Sequence, residues 1–221
     1  MSKCSSTVFL VDDDTSFLAS LGRMLRTSGY TVASFTSAEE FFSQRPTEAT
    51  GCIVTDLQMP GMDGMALQKM LAQSDNPLPI VFLSGNGDIP TSVQAMRNGA
   101  EDFLTKTTSK EELLAAIERA LARDARDRME HTRKRELLMR FGQLTPRENE
   151  VLAHVLRGQL NKQIAADLGI NERSVKRHRT SMMSKIGVKS VAELAQLTVV
   201  VGISEEFRVP GDRLPLPTKH S

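Results

Sequence analysis

Cysteine is scarce: Cys4 and Cys52 are the only two in a chain of 221 residues. Two thiols make neither a disulfide framework nor a metal site, which excludes the small stapled secreted folds. Long apolar runs are missing as well. Near the amino terminus residues 8–11 are apolar in succession before Asp12, Asp13 and Asp14 interrupt them. That run is too short for a signal peptide, and none elsewhere approaches the ~18 residues of a membrane span. A soluble cytoplasmic protein is expected. Compositional bias is absent too: 40% hydrophobic and 25% charged residues describe an ordinary globular chain rather than a disordered or collagenous one. The length suits two domains of about 100 residues.

A large net charge is also lacking, at +1, but only as a sum. Residues 1–121 hold 9 Lys/Arg against 15 Asp/Glu, a balance of −6, and residues 122–221 hold 19 against 12, a balance of +7. An acidic half thus precedes a basic one, which suggests a cation or regulatory site in front and a polyanion partner behind.

In the first half, strand-like runs at 7–11, 31–35, 52–55, 80–83 and 102–104 alternate with amphipathic stretches near 15–28, 37–43, 64–72, 88–98 and 109–122. This alternation predicts an α/β fold: a doubly wound, five-stranded parallel sheet with helices on both faces. Ser37 with Glu40, and Ser109 with Glu112, read as capping boxes. From 123 the character changes, because eight of the eleven positions 126–136 are charged. Glycine and proline are absent from 123–140, and the pairs Asp124/Arg128 and Glu130/Lys134 favour a solvated helix continuing the fifth over a flexible tether.

Beyond that linker the pattern is all-α. Thr145, Pro146 and Glu148 supply an N-cap, a first-turn proline and a capping glutamate for a helix ending near Gly158. Asn161 reads as the cap of a short helix through Leu168, and Gly169, Ile170 and Asn171 as a turn. A third helix, 172–186, stops at Gly187, and Ser190 with Glu193 caps a fourth, from 191 to about 201. The remainder, with Pro210, Pro215 and Pro217, has no periodicity and reads as disordered. The expected divisions are 1–122, a linker at 123–140, a four-helix domain at 141–203 and a tail at 204–221.

In an open parallel sheet, ligands collect outside the carboxyl ends of the strands. Here the first strand runs into Asp12 and Asp13, the third into Asp56, the fourth ends at Ser84, and the fifth leads to Lys106. Neighbouring strands lie about 4.8 Å apart, so three carboxylates, a hydroxyl and an ammonium should converge. Carboxylates packed this closely repel unless a cation joins them, and an all-oxygen site with open positions suits Mg2+. Each aspartate taken alone also reads as a solvated strand-end cap; the set favours the cation.

Val11-Asp12-Asp13-Asp14, Thr55-Asp56, Met59-Pro60-Gly61-Met62-Asp63-Gly64, Ser84-Gly85, Gly99-Ala100 and Phe103-Leu104-Thr105-Lys106 resemble, in order and spacing, the receiver domain of bacterial two-component response regulators over about residues 5–121. The resemblance implies a flavodoxin-like sheet of order 2-1-3-4-5. It implies Asp56 as the phosphate acceptor, Mg2+ held by Asp12, Asp13, Asp56 and the backbone carbonyl of Gln58, and Lys106 as the phosphoryl ligand. It makes Ser84 and Phe103 a switch pair, where Phe103 alone reads as a core ring. One departure stands out: Thr107 follows Lys106, where the family usually has a proline in a cis peptide. A trans bond and a shifted loop are expected here, which leaves the placement of Lys106 open.

The Gly169-Ile170-Asn171 turn between a short and a longer helix reads as a helix-turn-helix. The second helix carries Arg173, Lys176, Arg177, Arg179 and Lys185 against Glu172, with Val175, Met182 and Ile186 on its apolar side. Residues 144–197 resemble the LuxR-type DNA-binding domain of the NarL/FixJ branch. The resemblance is carried by the stretches from Leu144 to Leu152, Gly158 to Ala165 and Ser174 to Arg179, while the segment from Gly85 to Pro90 leans toward FixJ. It implies Lys176 and Arg177 at base edges and Lys162, Arg173 and Arg179 at phosphates; His178 reads as a helix-surface or packing residue.

Together these readings predict a transcriptional regulator that accepts a phosphoryl group from a sensor histidine kinase and binds double-stranded DNA as a homodimer formed on phosphorylation. It would have no membrane partner and would catalyse no reaction beyond its own phosphotransfer and dephosphorylation. The alternatives are a regulator indifferent to phosphate, because of the altered Lys106 loop, and a magnesium-dependent phosphohydrolase using an aspartyl phosphate. Against the hydrolase stand the lack of a second acidic pair or substrate cap and the DNA-binding pattern of the second half.

Overall fold

β-Branched and aromatic residues fill five short strands: β1 (Thr7–Val11), β2 (Thr31–Phe35), β3 (Gly51–Thr55), β4 (Ile80–Ser84) and β5 (Asp102–Thr105). They form one parallel sheet of order β2-β1-β3-β4-β5. Helices α1 (Thr15–Thr27), α2 (Ala38–Gln44), α3 (Gly64–Ala72), α4 (Ile89–Arg97) and α5 (Lys110–Gly142) follow the strands in turn. The structure is a computed structural model that describes residues 6–74, 76–85 and 89–202. The expected tail at 204–221 lies outside the described residues, as do Cys4 and Asn86, Gly87 and Asp88 of the FixJ-like segment.

β3 and β4 are buried at every position, as strands covered on both faces must be. Alternation along β1 separates two cores. Phe9 and Val11 pack with Phe35, Phe41, Ile53, Leu67 and Phe82, the side of α2 to α4. Val8 and Leu10 join Leu21, Leu25, Val54, Leu83 and Ile117, the side of α1 and α5. Each such side chain contributes roughly 1.5–3 kcal/mol by leaving water, so the strand ends between the two layers are firmly placed.

α5 runs unbroken through 123–140, and the chain divides into two compact units inside it, Met1–Met129 and Glu130–Ser221. The pair Asp124/Arg128 is not a solvated surface pair. Asp124 is 4% exposed; its Oδ2 accepts the Gly51 N–H at 2.9 Å, and Arg128 Nε lies 2.9 Å from both its oxygens. Arg128 also donates to Asn76 Oδ1 at 3.0 Å and to the Ala49 carbonyl. Gly51 sits at φ +136°, where a Cβ would overlap the Thr7 carbonyl oxygen, so only glycine opens β3 this close to β1.

Among its described residues the second unit contains the end of α5 and four helices: α6 (Pro146–Leu156), α7 (Asn161–Leu168), α8 (Glu172–Ile186) and α9 (Val191–Val201). Leu137 and Phe141 of α5 share one core with Val151, Leu152, Val155, Ile164, Val175, Met182, Ile186 and Leu194. Gly169, at φ +63°, makes the left-handed turn between α7 and α8, and Asn171 Oδ1 caps α8 by accepting the Ser174 N–H at 2.8 Å.

Several caps differ from the sequence reading. Thr145 and Glu148 form the reciprocal box. Ser37, Ser109 and Ser190 do cap their helices. Two of their glutamate partners reach past them, however: Glu40 accepts from Thr36 N and Glu193 from Lys189 N, while Glu112 accepts from Thr108 Oγ1 as well as from the Ser109 backbone. Asn161 is not a cap but the first residue of α7; Leu160 precedes it, and Gln163 Oε1 takes the Leu160 N–H at 2.8 Å. Asn161 Oδ1 is free of that duty and accepts from Arg179 Nη1 at 2.7 Å.

Candidate functional site

Register builds the acidic pocket. Val11 lies opposite Thr55 in the ladder, so the next residues, Asp12 and Asp56, leave neighbouring strands side by side; Asp56 N donates to Val11 O at 2.9 Å. Ser84 lies opposite Thr105, and Lys106 N donates to Ser84 O at 2.8 Å. The three consecutive aspartates then divide their work. Asp14 caps α1, accepting from Ser16 N at 2.9 Å and Phe17 N at 3.0 Å. Asp12 is buried, Asp13 is exposed, and one carboxylate oxygen of each and of Asp56 lie within 4.8 Å of one another.

Lys106 is in place despite Thr107. Its Nζ lies 2.7 Å from Asp12 Oδ2 and 2.8 Å from Asp56 Oδ2, and 4.6 Å from the centre of the Phe17 ring. No cis peptide bond occurs among the described residues. The other oxygen of Asp56 is fixed by the next two backbone amides, accepting from Leu57 N at 2.6 Å and Gln58 N at 3.3 Å. Gly64, the last residue of the Met59-to-Gly64 motif, packs where a Cβ would overlap the Asp56 carbonyl oxygen.

The charges are out of balance. Three carboxylates face one ammonium. Burial pushes the Asp12 carboxyl above its ordinary pKa, outweighing the opposing bonds from Lys106 and the Asp14 amide. Burial pulls the Lys106 pKa down, but its bonds to Asp12 and Asp56 more than offset this and the value rises. Hard oxygen donors, an excess of negative charge and one exposed carboxylate fit an oxygen-preferring divalent cation.

The switch pair is less tightly drawn. Ser84 is buried at the end of β4, but no hydrogen bond joins its hydroxyl to Asp56 among the described residues. Phe103 is half-buried with its ring 5.8 Å from that of Phe82, beside a shallow hollow lined by Val93, Met96 and Arg97.

In the second unit the outer face of α8 is basic. Arg173, Lys176, Arg177 and Thr180 are exposed, as is Lys162 on α7, while Val175, Met182 and Ile186 are fully buried. Arg179 is half-buried against Asn161. Lys185, counted with the basic positions of this helix, faces away: its Nζ lies 2.7 Å from Glu148 Oε2. Glu148 is a hub, 3% exposed, which also accepts from Ser181 Oγ at 2.7 Å and Thr145 N at 2.8 Å. Burial raises its pKa, but the bonds from Lys185, Thr145 and Ser181 prevail and bring it to about 2.

Three groups escaped sequence reasoning: the Phe17 ring, the Asp124 anchor and the Glu148 hub. Glu148 and Asp124 gave local signals, a capping box and an i,i+4 pair, that concealed their long-range bonds. Phe17 gave none.

Residues 8–118 match the family described as the response regulator receiver domain, and residues 142–198 the bacterial regulatory proteins of the luxR family. The chain is 41% identical over 198 residues to response regulator protein TodT of Pseudomonas putida, covering 90% of this chain and 87% of that one. It is 33% identical over 196 residues to transcriptional regulatory protein FixJ of Bradyrhizobium diazoefficiens, covering 89% and 96%. Among solved structures, response regulator StyR superposes with a TM-score of 0.77 at 44% identity, over 89% of this chain and 99% of that one. The chain therefore belongs to the NarL/FixJ family of two-component response regulators. It is a DNA-binding transcription regulator that works in the phosphorylation-dependent manner of that family. No described helix is long and apolar enough to cross a membrane.

Proposed function

We propose that Asp56 is the phosphoacceptor and that its phosphorylation controls DNA binding through α8. The observation that carries this is the ladder register, which brings Asp12 and Asp56 side by side and sets the Lys106 ammonium 2.8 Å from Asp56 Oδ2. The donor is a phosphohistidine of a sensor histidine kinase. The Asp56 carboxylate attacks phosphorus, the N–P bond breaks, and its electron pair stays on the imidazole nitrogen. Mg2+, held by Asp12, Asp13, Asp56 and the Gln58 carbonyl, would neutralise phosphoryl charge when bound. Lys106 adds a fixed positive charge, and the Leu57 and Gln58 amides orient the acceptor; positioning and electrostatics are most of what such a transfer requires. Phosphorylation then adds ~1.5–2 negative charges, which Ser84 answers with its hydroxyl while the Phe103 ring turns inward. Apart from this transfer and its hydrolysis the protein catalyses nothing.

The product is a homodimer on double-stranded DNA in the cytoplasm. Lys176 and Arg177 read base edges, and Lys162, Arg173 and Arg179 hold phosphates. The placement of Lys106 supports this reading over a phosphate-indifferent regulator. With Mg2+ and a small phosphodonor, the protein should gain one phosphoryl group, and Asp56→Asn should gain none while keeping its fold by circular dichroism. Undiminished labelling of that variant would remove Asp56 from the mechanism. On DNA, Lys176→Ala or Arg177→Ala should cost ~1–3 kcal/mol on a specific site and relax its sequence preference, whereas Lys162→Ala should weaken binding to every sequence and flatten its salt dependence.

A further inference from the structure

Lys106 is held from three sides, and the third contact differs in kind from the other two. A cation bound by Asp12 and Asp56 competes with the ammonium for both carboxylates. The face of a benzene ring attracts an ammonium through its quadrupole, while Mg2+ prefers oxygen. The Phe17 contact, at 4.6 Å, is thus the one that cation binding leaves intact.

The ring is positioned from the backbone upward. Asp14 Oδ1 accepts the Phe17 N–H at 3.0 Å, which fixes the first turn of α1, and the half-buried side chain packs on the layer formed by Leu10, Val54 and Leu83. The loop of the lysine itself is fastened through other atoms. Lys106 N donates to Ser84 O at 2.8 Å and Thr108 N to Thr105 O at 2.9 Å, the hydroxyls of Thr105 and Thr107 pair at 3.0 Å, and Thr108 Oγ1 donates to Glu112 Oε2 at 2.6 Å. None of these bonds restrains the four-carbon stem of Lys106.

We propose that Phe17 is a positioning residue for phosphoryl transfer: its ring keeps the Lys106 ammonium over the acceptor carboxylate while cation and phosphoryl group engage Asp12 and Asp56. The proposal rests on the assignment of Lys106 to the phosphoryl group. Phe17 itself makes and breaks no bond.

Two variants of the full-length protein test it, Phe17→Leu without the ring and Phe17→Tyr with it. In the magnesium-free protein the ring current should shift the Lys106 ε-methylene protons upfield, a shift kept by Phe17→Tyr and lost in Phe17→Leu. With Mg2+ and phosphoramidate, Phe17→Leu should lower the maximal phosphorylation rate about two- to fivefold, the range of a cation–π contact at a partly exposed site. The half-saturating magnesium concentration should stay unchanged, and Phe17→Tyr should restore the rate. A wild-type rate in Phe17→Leu, an equal loss in both variants, or no ring-current shift in the wild type overturns the proposal. Failure of the wild-type protein to take up a phosphoryl group, with the ring-current shift present, overturns instead the reading of Lys106 on which it rests.

Discussion

At the scale of single residues, Asp12 carries a charge that its surroundings resist. Folding raises its pKa above 3.8, so the stability it contributes belongs to the protonated form: present below 3.8 and lost as pH rises through the raised value. At neutral pH its carboxylate opposes folding, and a cation relieves that opposition. Mg2+ should therefore raise the melting temperature, by linkage. Asp12→Asn should melt no lower than the wild type without Mg2+ and should lose most of the magnesium-induced rise; scanning calorimetry with and without the ion reads both. A second residue acts by what it lacks. Gly64→Ala would drive a methyl group into the Asp56 carbonyl, with Phe82 Cε1 2.9 Å away on another side. Overpacking of this kind costs ~1–3 kcal/mol, and because the displaced group is the backbone of the acceptor, phosphorylation should slow as well as stability fall. Full activity in a destabilised Gly64→Ala protein would show that the acceptor loop tolerates the shift.

Among the elements, α8 shows how a helix keeps one face for a partner by fastening the other. Val175, Met182 and Ile186 bury its apolar side, and Glu148 grips Ser181 and Lys185 from behind. The Glu148 pKa is lowered from 4.5 to about 2, so its contribution is present above pH 4.5 and lost as pH falls toward 2. That contribution is on the order of 3 kcal/mol. Hydrogen-exchange protection of the α8 amides, taken relative to their intrinsic rates, should fall across that interval, and Glu148→Gln should show the lower protection already at pH 7. The elements themselves were legible because buried strands are short apolar runs and amphipathic helices repeat every three to four residues. Spacing could not resolve which end of a glutamate's reach is used: Glu40 and Glu193 pass over the capping serine to the residue before it. The acidic pocket was legible since Asp12 and Asp56 each come one residue, and Lys106 two residues, after an expected strand end. The Lys106 side chain was not, because a missing proline says where a loop is unrestrained but not what else restrains it. Contacts such as Asp124 to Gly51, 73 residues apart, leave no periodic trace at all.

For the whole molecule, the feature that matters most is that one helix, α5, belongs to both units. A helix turns 100° per residue, so two inserted residues rotate every later side chain of the helix by about 200°, while seven come within about 20° of a whole number of turns. Insertion of two residues after Glu130 should therefore impair phosphorylation-dependent regulation more than insertion of seven, as read by a reporter gene. Equal activity would show that helical phase carries no signal. The grip of Asp124 and Arg128 on Gly51, Ala49 and Asn76 bears on how such proteins are recombined from parts. A chimaera joined at residue 122 would donate a sheet stripped of its keel, with the Gly51 amide deprived of its partner and the Ala49 carbonyl and Asn76 left without the guanidinium that joins them, whereas a splice placed after Arg128 would hand over a self-sufficient cassette. The seam along which this protein can be exchanged thus lies more than a helical turn inside the segment that looks like mere connection.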